Sequence, residues 1–171
     1  MALILLYIYI LPNHPADMKI ILAEEKHVPG IVKVWEEFIG FHADIDPFFT
    51  KAPGSEKDFA KWITTIINDD SGHSLVALDK NEVIAFSISR ISKHPPVLKQ
   101  QVYGEIIDLA VNKEYRRQGV GEKMLAIIYE WFDAHDVKRI ELKVASKNDI
   151  GYSFWEKQGF MDYMHVLYLD R

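Results

Sequence analysis

The stretch Glu114-Tyr115-Arg116-Arg117-Gln118-Gly119-Val120-Gly121 joins two adjacent arginines to two glycines one residue apart. It lies between an apolar run, residues 105–111, and a run with helical spacing, residues 122–135. A helix beginning near Gly119 turns its unpaired N–H groups back toward this corner and adds partial positive charge there. Glycine at 119 and 121 frees the backbone and lets a bulky group approach without meeting a Cβ. With Arg116 and Arg117 alongside, the corner suits a pyrophosphate; the same four residues also fit an ordinary loop. Two familiar phosphate motifs are excluded. A Walker loop needs Gly-Lys-Ser/Thr, and here Gly121 is followed by Glu122 and Lys123. A dinucleotide fingerprint needs glycine or alanine where Met124 stands.

The chain that must position this corner has 171 residues, the size of one domain with a real core. A net charge of −5 argues against a general nucleic-acid binder, so any basic patch is local. The absence of cysteine removes disulfides, thiolate zinc sites and a thiol nucleophile, and fits a cytoplasmic protein. The apolar opening, residues 1–11, lacks a basic leader and a cleavage site, and it is too short to span a bilayer. No membrane association is expected. Residues 1–17 read instead as an extra strand or docking segment, able to pair with a sheet edge in a homodimer, and the domain proper as residues 18–171.

From Met18 onward the apolar spacing predicts strands over 19–23, 74–78, 83–91, 102–111, 139–145 and 162–169. It predicts helices over about 27–41, 55–69, 122–135 and 148–158, the second starting at Ser55 with Asp58 in support. Residues 44–54 read as a loop, and Asp79-Lys80-Asn81-Glu82 as a hairpin connection. The order βααβββαβαβ is that of an α/β domain with a mixed sheet flanked by helices.

Arg116-x-x-Gly119-x-Gly121, preceded by a strand ending Asp-Leu-Ala-Val and followed by an amphipathic helix, resembles the acetyl-CoA loop of the GNAT superfamily of N-acetyltransferases. Residues 148–160, NDIGYSFWEKQGF, resemble a second motif of that family in the right order. The resemblance covers about residues 18–171. It implies a mixed, mostly antiparallel central sheet whose fourth and fifth strands, 102–111 and 139–145, splay apart. It also implies transfer of an acetyl group from acetyl-CoA to a primary amine of a small molecule or peptide, by direct attack in a ternary complex and without a metal. A catalytically weak acyl-CoA sensor is the alternative.

The resemblance further implies roles for particular residues. The backbone of Leu109, Ala110 and Val111 would receive the pantetheine arm, with the Val111 N–H stabilising charge on the thioester oxygen. Arg116, Arg117, Gln118, Gly119, Val120, Gly121 and Glu122 would line the pyrophosphate, with Asn148 and Trp155 on the opposite side. An attacking ammonium must first lose a proton. Glu105, fourteen residues before Gly119, stands where histone-type members carry their base, with Asp108 as the fallback. Strand alternation puts Glu105 on the face of Ile107 and Leu109, opposite Asp108. Trp155 occupies the position where most members carry a tyrosine acid, and indole cannot serve as one. Tyr152, three residues earlier, is the candidate substitute, or else a core tyrosine. For the acceptor, the family's usual site points to residues 41–49: His42, Asp44 and Phe48, with Asp46 and Phe49 beside them, joined by Glu105 from the strand. The same loop also reads as a solvated acidic segment.

Overall fold

The computed structural model describes residues 18–169 and 171; the expected N-terminal strand or docking segment, residues 1–17, lies outside the described residues. Five strands form one sheet in the order β1 (Lys19–Leu22), β2 (Gly72–Asp79), β3 (Glu82–Lys93), β4 (Val102–Val111), β5 (Ile140–Leu142). The first four are antiparallel neighbours, and β4 pairs with β5 in parallel. The predicted hairpin is present: Lys80 and Asn81 both adopt positive φ, 49° and 69°, as a two-residue connection matched to strand twist requires.

Helices α1 (Val28–Ile45) and α2 (Ser55–Ile67) cover one face, burying Ile31, Val34, Phe59 and Ile63 against Val76, Phe86 and Ile88. Helix α3 (Val120–Ala134) covers the other, burying Met124, Leu125, Ile128 and Phe132 against Leu75, Ala77 and Ile106. Helix α4 (Asp149–Lys157) adds Phe154 and Trp155 to that second cluster. Both faces of the central strands are therefore covered, which is why β2 is buried along most of its length.

Several expected elements differ in the structure. Helix α1 runs on to Ile45, so the expected loop is shorter and contains a 3-10 turn over Pro47–Phe49. Gly54, at φ 78°, is the N-cap of α2, and the Ser55 hydroxyl is buried without a partner rather than capping. The segment 162–169 forms no strand, and Val166, Leu167 and Tyr168 stand exposed. A β-type composition produces a strand only where an edge accepts it, and this segment has no such pairing among the described residues.

The register of β4 matters most for function. Ile88 of β3 faces Asp108 while Ser89 faces Ile106, so Ile107 is an unpaired extra residue, a β-bulge. The alternation reverses there. Ile106 packs into the α3 cluster and Ile107 into the α1/α2 cluster; beyond the bulge Leu109 and Val111 join the α3 side and Ala110 the other. Glu105 and Asp108 consequently share the α1/α2 face, which corrects the expectation that they lie on opposite faces. The strand is also fixed from below, where a Cβ on Gly104 would stand 2.5 Å from the Phe132 ring. Gly104→Ala is expected to destabilise the domain by about 1–3 kcal/mol in urea denaturation, and an unchanged midpoint would show that α3 does not press on β4 there.

Candidate functional site

The pairing of β4 with β5 covers only Gly104, Ile106 and the residue between them. Past Ile106 the two strands separate, and β4 keeps a ladder on its β3 side alone. The N–H of Asn112 bonds the Ile84 carbonyl on β3 at 2.9 Å. Alternation along the strand then turns the backbone groups of Val111 and Leu109 the other way, into the opening. The Val111 carbonyl is taken by Arg116 Nε at 2.8 Å.

At the end of β4 a single 3-10 turn over Lys113–Tyr115 leads to the arginine-glycine corner. Arg117 has φ 58° and Gly119 has φ 76°, two left-handed residues with one residue between them, which turn the chain sharply into α3. Gly119 is the N-cap of α3, and no side chain caps that helix. Its first N–H groups are thus left for solvent or a ligand, with the positive end of the helix dipole behind them. Gly121 lies against α4, where an added Cβ would sit 3.4 Å from Phe154. The other corner residues are placed as follows. Val120 is buried in the core, Gln118 Nε2 donates to the Glu114 carbonyl at 2.7 Å, and Glu122 is 3.9 Å from Lys157.

A cavity of about 110 Å³ opens where β4 leaves β5, lined by Phe38, Phe41, His42, Leu109, Ala110, Val111, Arg116, Asn148, Ile150 and Gly151. His42 is buried in it. Its Nδ1 lies 2.9 Å from the Phe38 carbonyl, an acceptor only, so Nδ1 carries the proton. Asn148 caps α4 by accepting the Gly151 N–H on Oδ1 at 2.9 Å, which turns Nδ2 toward His42 Nε2 at 3.4 Å. The imidazole therefore locks Asn148 to α1 rather than presenting a free nitrogen.

The remaining predicted residues do not line the cavity. Asp44 is exposed and Phe48 is 86 % exposed, so neither lines the cavity. Asp46 accepts the Phe48 N–H and pairs with Lys147 at 3.2 Å, and these bonds, the backbone one first, lower its pKa. Trp155 is packed edge-on between Phe154 and Phe160. Tyr152 is 40 % exposed, and the charge of Asp162 raises its pKa, which makes it a poorer acid. Glu105 is bonded to Arg90 at 2.7 Å and to the Ser92 hydroxyl at 3.1 Å. Asp108 has neither kind of partner among the described residues and is only partly exposed; burial pushes its carboxyl up to about 7. Sequence reasoning missed Phe38 and Glu37, though the spacing of Phe38 to His42 on one helical face is legible, and it did not single out Phe41, Ile150 and Gly151 within the segments it named. No group of three or more potential metal ligands is gathered among the described residues, and no helix there is long and apolar enough to cross a membrane.

Residues 33–160 match the model of the acetyltransferase (GNAT) family. The fold is shared with a tetramutant of the BH1408 protein from Bacillus halodurans, 20% identical, TM-score 0.81, covering 89% of this chain and 99% of that one. It is shared with a predicted acetyltransferase crystallised with acetyl-CoA from Clostridium acetobutylicum, 19% identical, TM-score 0.73, over 90% and 96% of the two chains. It is shared also with aminoglycoside 6'-N-acetyltransferase AAC(6')-IG from Acinetobacter haemolyticus, 16% identical, TM-score 0.71, over 89% and 97%. No curated protein matches the sequence. The chain belongs to the GNAT acetyltransferase family, whose model spans the opening, the corner and α4.

Asp108 gives a test that needs no substrate. Its carboxyl ionises near 4 when unfolded and near 7 when folded. Between these values the folded state holds a proton that the unfolded state has lost, so stability falls as pH rises. His73, pushed down to about 4 by burial and then by the charge of His135, contributes the opposite slope between about 6.5 and 4. The difference between Asp108→Asn and the parent isolates the first effect. The variant is expected to be more stable by a few kcal/mol at pH 8 and equal at pH 4 in denaturant titrations; equal stability at both would place Asp108 in water.

Proposed function

We propose that this protein is an N-acetyltransferase that moves the acetyl group of acetyl-CoA to a primary amine of a small molecule or peptide, by direct attack in a ternary complex. The observation that carries the reading is the uncapped N-terminus of α3, with left-handed Arg117 and Gly119, set beside the unpaired edge of β4. That pairing of features fits a long ligand with an anionic diphosphate at one end and an amide-bearing arm at the other. Arg117, Gln118, Gly119, Val120, Gly121 and Glu122 would hold the diphosphate, the backbone of Leu109 through Val111 the arm, and Asn148 the opposite wall. When bound, the donor supplies an activated acyl carbon and a thiolate leaving group.

The chain's own part is to remove a proton and to stabilise charge. Asp108 is the better base on physical grounds. Its carboxyl ionises near neutrality and has no cation beside it, whereas Glu105 is tied to Arg90. The amine, having lost one proton to Asp108, would attack the acyl carbon to give a tetrahedral intermediate; as the carbon–sulfur bond breaks, the second proton on nitrogen would pass through water to the thiolate, and Asp108 would release its proton to solvent. The Val111 N–H, turned into the opening, would stabilise the negative charge that develops on the acyl oxygen. Phe38 and Phe41 suit an acceptor with an apolar group near its amine. A cytoplasmic location fits the use of acetyl-CoA.

The reading is tested by thiol release from acetyl-CoA with a panel of primary amines. Amine-dependent release is expected, rising with pH through about 7. Asp108→Asn should lower turnover by roughly 100-fold or more with CoA affinity retained, and Glu105→Gln by much less. Gly119→Val, which forces a β-branched residue into positive φ, should abolish CoA affinity in calorimetry. Binding of CoA without release for any amine would make the domain a sensor, and unchanged affinity in Gly119→Val would reject the corner.

A further inference from the structure

The two adjacent arginines do different things. Arg116 is bonded to β4 and to α1, and no hydrogen bond or ion pair is formed by the Arg117 guanidinium among the described residues. The Arg116 Nε donates to the Val111 carbonyl at 2.8 Å, and its Nη2 donates to Glu37 Oε1 at 2.8 Å. The same Glu37 oxygen accepts the Lys113 N–H at 2.8 Å. The guanidinium lies 5.8 Å from the centre of the Phe41 ring. One carboxylate on α1 thus grips the end of β4 twice, once through an arginine side chain and once through the backbone that follows. The grip falls where β4 has lost its neighbour on the β5 side and nothing in the sheet holds that edge. Both side chains are only partly exposed, so the pair is screened less than a surface ion pair.

We propose that Glu37, acting through Arg116, is a positioning residue for acyl transfer: it fixes the Val111 carbonyl, and through that residue the adjoining Val111 N–H, at the open edge of β4, and Arg116 is not a diphosphate ligand. The inference rests on the acetyltransferase reading above. A planar guanidinium reaches the carbonyl and the carboxylate together, while a single ammonium on a flexible stem does not hold both at that geometry. Displacement of the Val111 N–H by a fraction of an ångström lowers turnover and leaves the diphosphate corner as it was.

Glu37→Gln and Arg116→Lys are compared with Arg117→Ala, after circular dichroism shows each to be folded. The first two are expected to lower kcat by roughly 10- to 100-fold, with acetyl-CoA KM and CoA Kd within about twofold of the parent. Arg117→Ala is expected to raise CoA Kd and to spare kcat at saturation. The Val111 amide resonance should move in Glu37→Gln, a readout that stands even if the parent shows no turnover; absence of parental turnover rejects the acetyltransferase reading, not the latch. Loss of CoA affinity in Arg116→Lys matching that in Arg117→Ala would overturn the proposal by making Arg116 a phosphate ligand. An unchanged kcat with an unmoved Val111 resonance would overturn it by making the contact a passive one.

Discussion

Everything at the site follows from β4 having to leave β5. A strand in the middle of a sheet satisfies its backbone on both sides, and β4 does so only as far as Ile106. Beyond that point its outer N–H and C=O groups have no ladder, and such groups must find water, a side chain or a ligand. The bulge at Ile107 falls where the pairing stops. Bulges bend a strand and increase its twist. Here the bulge also decides which residues face α1 and α2, so it brings Asp108 to the face that Glu105 occupies.

The anionic overall charge and the cationic corner are compatible because the positive field is built locally. It comes from an uncapped helix N-terminus and from Arg117, while nearby charges are paired off: Arg116 with Glu37, Lys147 with Asp46, Arg90 with Glu105. Pairing matters for the chemistry as well. A carboxylate bonded to a guanidinium at 2.7 Å is committed to structure; one with no cation and little water is driven toward neutrality, which suits proton transfer near pH 7. Glu105 and Asp108 are three residues apart and fall on opposite sides of that distinction.

Much of this was legible in the chain. The glycine corner, all four helices, the Lys80-Asn81 turn and the strand that precedes the corner follow from residue type and spacing. The bulge was not legible, because residues 105–111 are apolar apart from Glu105 and Asp108 and give no alternation against which one extra residue would show. Pairings across long sequence distance were hidden for a different reason. Nothing local in Glu37 points to an arginine 79 residues later, or in Arg90 to Glu105, until the topology brings α1 against β4 and β3 beside it. The tail failed in the opposite sense: residues 162–169 have the composition of a strand, but composition does not supply the neighbouring edge.

The central claim is that the free amides at the start of α3, next to the open edge of β4, form a single site for one extended ligand. Amide chemical-shift mapping with CoA and with pantetheine separates its two halves. The account predicts that CoA moves the resonances of both Leu109–Val111 and Arg117–Glu122, and that pantetheine, which lacks the diphosphate, moves only the first set. Saturating CoA that leaves Gly119, Val120 and Gly121 unmoved would contradict it.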